Sequence, residues 1–217
     1  MPGFAGFDRA EYPGDNIMAW LKKNTNLVWC GYYLDAAAGS PETSWLGTRA
    51  RLTGAGWGLG PLYAGQGSQH PSAQAGTTDG KAAVELMKSE GFPQGAFVYL
   101  EPGTESPWSD VRKEYVASWC DAVSAEGYGA GVHCGQLLAQ EAHVVYPACR
   151  IWAVRASTNR ASPFPAPFPE VNPTGSGYPK AYVWQHALKV QTYVRAGSLQ
   201  ILEIGLNSAA SADPSAP

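Results

Sequence analysis

Polar residues that could do chemistry stand at the ends of short apolar runs in this chain. Asp8 ends the run PGFAGF, Asp35 follows NLVWCGYYL, and Glu101 ends GAFVYL in the middle of the sequence. Glycoside hydrolysis uses two carboxyl groups that face each other across a cleft, one as general acid and the other as nucleophile or base. The three acidic residues therefore form a candidate set for glycosidic chemistry.

Glu101 is the best candidate for the general acid. A carboxyl group at the mouth of a buried strand is partly removed from water, and this environment suits an acid catalyst. We predict that Glu101 acts as the acid and Asp8 as the second carboxylate, with Asp35 as a third catalytic candidate. Simpler readings stay open, since Glu101 could be a surface residue at a loop start and both aspartates could be turn residues.

Amide, imidazole and aromatic side chains supply candidates for substrate binding. Gln66 and Gln185 stand at strand ends, where their amides could bond sugar hydroxyls or an N-acetyl group. Trp184 next to Gln185 offers a plane for stacking on a sugar, and His133 closes a glycine-rich run as either a substrate ligand or a bonded rim residue. The other predicted binding residues are Tyr33, Tyr63, Tyr99, Trp152 and Asn207.

Eight apolar runs, several separated by helix-like stretches, are the pattern of an α/β chain folded as a (β/α)8 TIM-type barrel. In that fold the carboxyl ends of the strands meet on one face, which would bring these scattered side chains together. The strands are predicted at residues 4–7, 26–34, 58–64, 96–100, 128–132, 151–154, 181–185 and 199–204.

Five helices are predicted between these strands. The first starts at Asp15 or Asn16, and the second covers residues 43–53. The third starts at Thr77 or Thr78, the fourth starts at Ser109 or Asp110, and the fifth lies near residues 136–143. Six prolines between residues 156 and 179 exclude a regular sixth helix, so we expect a Pro-rich loop in its place. The single barrel domain is expected over residues 1–207. Residues 208–217 are small and polar, which predicts a disordered tail or a linker stub.

Composition bounds the class of protein. The chain has 217 residues, 45% of them hydrophobic and 15% charged, which is enough for one globular core. The net charge of −3 and the lack of a Lys/Arg run argue against nucleic acid as a partner. No stretch reaches transmembrane length and no signal peptide is visible. The cellular compartment therefore stays open, as does a protein partner.

No motif points to a cofactor or a metal. The sequence lacks GxGxxG, a P-loop, GxSxG and HExxH, so nucleotide-binding, serine-hydrolase and zinc-protease readings have no support. The four cysteines have no CxxC spacing and are expected as buried free thiols, although a Cys134–Cys149 bridge is an open alternative.

Seven motifs taken in order resemble a known family: GFAGFD, YYLD, LYAGQG, FVYLE, GVHCG, RIWAVR and VWQH. They resemble the glycoside-hydrolase-like domain of unknown function family 1906, found in mycobacterial and other actinobacterial proteins. That family is a distant relative of the family 25 lysozymes, which cleave the glycan strands of peptidoglycan. The resemblance covers residues 3–207. It implies a TIM-type barrel, Asp8 as the first-strand carboxylate, Glu101 as the fourth-strand acid, a Trp-Gln pair on strand seven, and action outside the cell or at the cell wall.

Two positions depart from the lysozyme pattern. The lysozymes carry Asp-x-Glu on the fourth strand, and here Tyr99 stands two residues before Glu101. They carry Asp-x-Asn on the eighth strand, and here Gly205 stands two residues before Asn207. The sequence thus favours a glycosidase acting on peptidoglycan or a related polysaccharide. The alternatives are a catalytically inactive glycan-binding barrel, or a structural domain of a phage or secretion assembly if residues 208–217 are a linker.

Overall fold

The chain folds as a closed barrel of eight strands in the order β1 to β8. The computed structural model describes residues 2–36, 44–65, 69–103, 106–158 and 166–217. The strands are β1 (Phe4–Asp8), β2 (Trp29–Tyr33), β3 (Gly58–Tyr63), β4 (Phe97–Leu100), β5 (Gly129–Gly135), β6 (Arg150–Thr158), β7 (Ala181–Ala196) and β8 (Ser198–Ala209). The helices are α1 (Asp15–Asn24), α2 (Arg49–Gly54), α3 (Ala73–Ser89), α4 (Asp110–Ala125) and α5 (Ala139–Val145).

The predicted α/β barrel is confirmed, with one difference in strand direction. Strands β1 to β7 run parallel to one another, whereas β8 is antiparallel to both of its neighbours, β7 and β1. A parallel connection needs a crossover of about a dozen residues or more. Only Gly197, with a φ of 88°, separates β7 from β8, so the chain must turn back as a hairpin.

The helix boundaries follow local capping. Ser109 caps α4 as predicted, because its side chain accepts a hydrogen bond from the Arg112 amide. Helix α3 starts before the predicted Thr77 or Thr78, since the Ser72 side chain accepts from the Ala75 amide and caps it earlier. In the described part of the Pro-rich segment the helical structure is a single 3₁₀ turn, Pro173–Ser176.

The carboxyl-terminal residues pack against the barrel, in contrast to the predicted tail. The Asp213 carboxylate accepts from the Leu59 amide at 3.2 Å, and the Ser215 amide donates to the Leu59 carbonyl at 2.9 Å. The Ser215 carbonyl accepts from the Phe97 amide at 2.8 Å. These groups belong to the amino ends of β3 and β4, whose backbone polar groups need partners when they are buried. The last residues therefore cover that end of the barrel.

Large aromatic rings fill the barrel interior. The rings of Trp29 and Trp152 lie 5.4 Å apart at 75°, and the rings of Tyr99 and Trp152 lie 5.5 Å apart at 89°. All three side chains are fully buried. Glycines face them, since a Cβ on Gly6 would lie 2.2 Å from the Trp29 ring and one on Gly131 would lie 2.4 Å from the Tyr99 ring. The interior is thus a packed core, and the carboxyl-end mouth is left for a site.

All four cysteines are buried, and none forms a disulfide. Within the described residues, no helix combines the length and the apolar character that crossing a membrane requires.

The packing around Tyr99 predicts a strong effect of one methyl group on β5. Gly131→Ala forces a Cβ into the buried Tyr99 ring, so we expect a loss of about 1–3 kcal/mol in the free energy of unfolding. Gly135→Ala on the same strand is the matched control, because no atom lies within 4 Å of its added Cβ. Urea unfolding of both variants measures the difference, and equal midpoints would contradict this account of the core.

Candidate active site

The structure brings six of the predicted site residues together at the carboxyl-end mouth, with Tyr33 bonded to Glu101 among them. Asp8 ends β1, Glu101 follows β4, and His133 lies near the end of β5. Gln185 on β7 is directly opposite Asn207 on β8, and Asn207 is also opposite Gly6 on β1. Because β8 runs antiparallel between β7 and β1, it places an amide beside the first-strand carboxylate.

Asp8 is held by two side-chain amides. Gln185 Nε2 and Asn207 Nδ2 each donate to Asp8 Oδ1 at 2.6 Å. Trp152 Nε1 donates to Asn207 Oδ1 at 2.9 Å, which turns the amino group of Asn207 toward Asp8. Burial raises the pKa of Asp8, while the Asn207 hydrogen bond and the positive charge of His133 act in the opposite direction. Asp8 is therefore a partly exposed carboxyl group with a raised pKa, fixed by neutral donors.

Glu101 is held through one of its two oxygens. His133 Nδ1 lies 3.0 Å from Glu101 Oε1, and the Tyr33 hydroxyl donates to the same oxygen at 3.3 Å. Burial and nearby carboxylates raise the pKa of Tyr33 well above its usual value, so its hydroxyl remains a donor. Glu101 Oε2 has no hydrogen bond to any described residue, and the side chain is 19% exposed. One oxygen is thus fixed while the other is free for a ligand.

His133 links the two carboxylates electrostatically. Burial alone lowers the pKa of His133, but the hydrogen bond to Glu101 and the charges of Glu101 and Asp8 outweigh it, so the pKa is raised. Its Nε2 atom is buried and has no hydrogen-bond partner among the described residues. Gln185, which also bonds Asp8, contributes to the raised pKa of His133, so the imidazole is coupled to both carboxylates.

Asp35 orients backbone at the end of β3. Its Oδ1 accepts from the Ala64 amide at 2.7 Å and its Oδ2 from the Gly65 amide at 3.1 Å. Burial raises the pKa of Asp35 to about 6, the two amides oppose this, and the charge of Glu101 adds to it. With both oxygens bonded to backbone, Asp35 serves as a positioning residue for the loop after β3. Among the described residues, the Asp35 side chain has no hydrogen bond to Asp8 or Glu101 that would support its predicted catalytic role.

Two predicted binding residues lie below the mouth. Trp152 is fully buried against Trp29, Tyr99 and His133. Tyr99 is fully buried too, and its hydroxyl donates to the Pro214 carbonyl at 2.9 Å, on the side where the carboxyl terminus packs. Both side chains form the floor beneath the site, so neither presents a surface to a substrate.

Two further predicted binding residues, Trp184 and Tyr63, point away from the barrel interior. Trp184 faces outward because neighbouring residues of a strand point to opposite faces and Gln185 points in. Its Nε1 donates to the Arg155 carbonyl at 3.0 Å. Tyr63 is buried on the outer side of β3, 6.4 Å from the Trp119 ring of α4. Gln66 lies outside the described residues.

Gly205 is a site residue whose spatial role the sequence pattern did not reveal. A Cβ at this position would lie 2.3 Å from Asp8 Oδ1 and 2.8 Å from Gln185 Nε2. Any side chain here would displace the amide–carboxylate cluster. The signal available in the sequence is strand alternation, which puts Gly205 on the same face as Asn207.

The described residues contain no group of three or more His, Cys, Asp or Glu side chains that could hold a metal ion. The side chains at this mouth are two carboxyl groups, one imidazole, one phenol and two amides, which can supply acid–base and electrostatic chemistry.

The family model of the Rv2525c-like, glycoside hydrolase-like domain matches residues 19–207. The chain belongs to this family. The resemblance expected from the motifs is thereby confirmed, and the domain is glycoside-hydrolase-like. Among curated protein sequences, none matches the chain.

Solved structures of low sequence identity share this family's fold. The Tat-secreted protein Rv2525c of Mycobacterium tuberculosis, in complex with L-tartrate, matches with a TM-score of 0.65 and 19% identity over 97% of this chain and 97% of that chain. The catalytic domain of endolysin ply40 from bacteriophage P40 of Listeria monocytogenes matches with a TM-score of 0.64 and 13% identity over 96% and 94%. A family GH25 lysozyme from Aspergillus fumigatus matches with a TM-score of 0.56 and 12% identity over 99% of both chains.

Asp35 predicts a specific pH dependence of stability. Its folded-state pKa of about 6 lies above the ordinary aspartate value of 3.8, so the folded chain takes up this proton first as the pH falls. The resulting stabilisation is full below the unfolded pKa and is lost as the pH rises through about 6. We expect the free energy of unfolding of the wild type, relative to Asp35→Asn, to increase between pH 7 and pH 4.

Urea unfolding at four pH values measures this difference. Asp121→Asn, at an exposed carboxylate on α4, is the control and should show no comparable trend. A constant difference between the wild type and Asp35→Asn at all four pH values would refute the burial argument for Asp35.

Proposed function

We propose that this domain hydrolyses glycosidic bonds in peptidoglycan or a related bacterial polysaccharide, with Glu101 as the general acid and Asp8 as the second carboxylate. The observation that carries the proposal is the unequal environment of two carboxyl groups at one barrel mouth. Asp8 is fixed by neutral amides, whereas Glu101 is hydrogen-bonded through Oε1 to the His133 imidazole and keeps its other oxygen free. Pairs of titratable groups in contrasting environments are how acid and base roles are divided in enzymes.

The substrate class follows from the fold relatives. An endolysin catalytic domain and a GH25 lysozyme share the barrel over nearly its full length. The mouth itself offers amide, imidazole and phenol groups of the kind that bond sugar hydroxyls. A polysaccharide is therefore the ligand that this site fits best.

In this mechanism the free oxygen of Glu101, Oε2, delivers a proton to the glycosidic oxygen as the bond to the sugar breaks. His133 Nδ1, bonded to Oε1, holds the carboxyl group so that Oε2 faces the ligand. Asp8 stabilises the positive charge that develops on the sugar ring, and water then adds at the sugar carbon while the Glu101 carboxylate takes a proton from that water. The raised pKa of His133 keeps its ring protonated to a higher pH than a free imidazole, and turnover is expected to fall once that charge is lost in alkaline solution.

A glycan-binding barrel without catalysis is the second candidate, and it rests on Tyr99 and Gly205. Both stand where the lysozymes carry aspartates. Tyr99 is locked by its bond to Pro214, and Gly205 has no room for a side chain. This candidate expects saturable binding to wall polysaccharide with no new reducing ends. The third candidate, a structural domain of an assembly, was suggested by a linker at residues 208–217. Those residues pack against the barrel, so this argument for the third candidate no longer holds.

Reducing-end release tests the hydrolase proposal. The wild type, Glu101→Gln and Asp8→Asn are incubated with purified peptidoglycan and with a panel of bacterial polysaccharides. We expect release by the wild type and a loss of at least about 100-fold in both variants, which is the usual contribution of a positioned acid or charge. Glu114→Gln on the exposed side of α4 is the matched control and should match the wild type.

Equal rates for Glu101→Gln and the wild type would refute the role of Glu101. If the folded wild type releases no reducing ends from any polysaccharide but binds one saturably, the binding-barrel candidate replaces the hydrolase.

A further inference from the structure

The β7–β8 hairpin continues past the barrel wall. Strand β1 pairs with β8 only at residues 205–209, and β6 pairs with β7 only as far as Leu188. Beyond these points, residues 190–196 and 198–204 pair only with each other among the described residues. Half of the hairpin therefore rises beyond the mouth as a two-stranded arm.

The two faces of this arm are unlike. One face carries Val190, Val194, Leu202 and Ile204, which are buried, and β7 packs against α1. The other face carries Tyr193, Leu199 and Ile201, which are 53%, 59% and 57% exposed. Tyr193 lies directly opposite Ile201, and Leu199 lies opposite Arg195. We call Tyr193, Leu199 and Ile201 the hairpin strip.

The hairpin strip is a direct extension of the wall that carries the candidate active site. The pairing irregularities of this hairpin are extra residues on β7, so β8 keeps strict alternation along its length. Leu199, Ile201 and Glu203 thus share a face with Gly205 and Asn207, and Asn207 bonds Asp8. Ile201 is six residues from Asn207, which corresponds to roughly 20 Å along the strand.

We propose that the hairpin strip binds the polysaccharide chain several sugar units away from the bond that is cleaved. This inference rests on the proposed function, since it extends the substrate path of the same site. Sugar rings have apolar faces bordered by hydroxyls, and the strip has the matching pattern. An aromatic plane and two aliphatic side chains are bordered by the exposed Gln191, Arg195 and Glu203.

The size of the strip also favours a glycan over a protein. A stable protein interface buries about 800 Å² on each partner, with some 20–30 residues a side. The strip has three apolar side chains with polar neighbours, which suits a narrow linear chain better than a second copy of the barrel.

Sedimentation with insoluble purified peptidoglycan tests this proposal. All variants are made in the Glu101→Gln background, so that hydrolysis does not consume the ligand. We expect Tyr193→Ala and Ile201→Ser each to weaken binding by about tenfold, the effect of truncating a central contact. Tyr193→Phe keeps the ring and should bind nearly as well as the parent. Val144→Ser, at a 71% exposed residue of α5, is the matched control and should leave binding unchanged.

In the active enzyme, Tyr193→Ala should raise KM for the polymer while kcat for a short oligosaccharide stays at the wild-type value. Urea unfolding of each variant shows whether the fold is intact, and Leu199→Ser provides a further exposed position if one variant is unstable.

The outcomes separate this inference from the hydrolase proposal. Loss of binding in the strip variants supports the inference even if the wild type proves inactive, in which case only the hydrolase proposal fails. Unchanged binding in Tyr193→Ala and Ile201→Ser overturns it, as does a parent protein that binds no insoluble polysaccharide. A wild-type dimer that these variants dissociate, with glycan binding unaffected, would assign the strip to a second copy and overturn it as well.

Discussion

The Trp152 indole is the group on which both the core and the candidate site depend. Its ring packs against Trp29, Tyr99 and His133, so it is part of the barrel filling. Its Nε1 bonds Asn207 Oδ1, and this single bond fixes which end of the Asn207 amide faces Asp8. An amide turned the other way would present an oxygen to a carboxylate. The orientation of the first carboxylate is thus set by the packing of an aromatic side chain below it.

Tyr99 and Gly205, the two residues that replace the aspartates of the lysozymes, are packed into the same core and site. Tyr99 fits because Gly131 faces its ring and because the carboxyl-terminal residues supply the Pro214 carbonyl for its hydroxyl. Gly205 leaves the space that Asp8 and Gln185 occupy. An aspartate at position 99 would lose the bond to Pro214, and an aspartate at position 205 would collide with Asp8 and Gln185. Under the proposed function, hydrolysis by this barrel would rely on Asp8 and Glu101 alone.

Most of the fold and part of the site could be predicted from the sequence. The apolar runs located all eight strands, and barrel convergence predicted the shared position of Asp8, Glu101, His133, Gln185 and Asn207. Asp35, from the same predicted set, instead bonds the backbone after β3, and Gln66 lies outside the described residues. The outward placement of Trp184 could have been foreseen, because a strand cannot point adjacent residues such as Trp184 and Gln185 into the same cavity. The packing of residues 208–217 could not be foreseen, since it depends on backbone groups of β3 and β4 that become available only when the barrel closes.

The direction of β8 is what joins the site to the hairpin arm. A parallel eighth strand would end at the mouth, as β1 and β4 do. Because β8 is antiparallel, it enters the barrel from above the mouth, and the face that bears Ile201 becomes the face that bears Asn207. One strand thereby offers both an apolar surface outside the barrel and an amide at the first-strand carboxylate. A ligand lying along β8 would follow a continuous path from the arm to Asp8 and would meet Glu101 across the mouth. For an extended polymer this arrangement gives contact far from the reacting bond, which is where binding energy can be gained without crowding the two carboxylates.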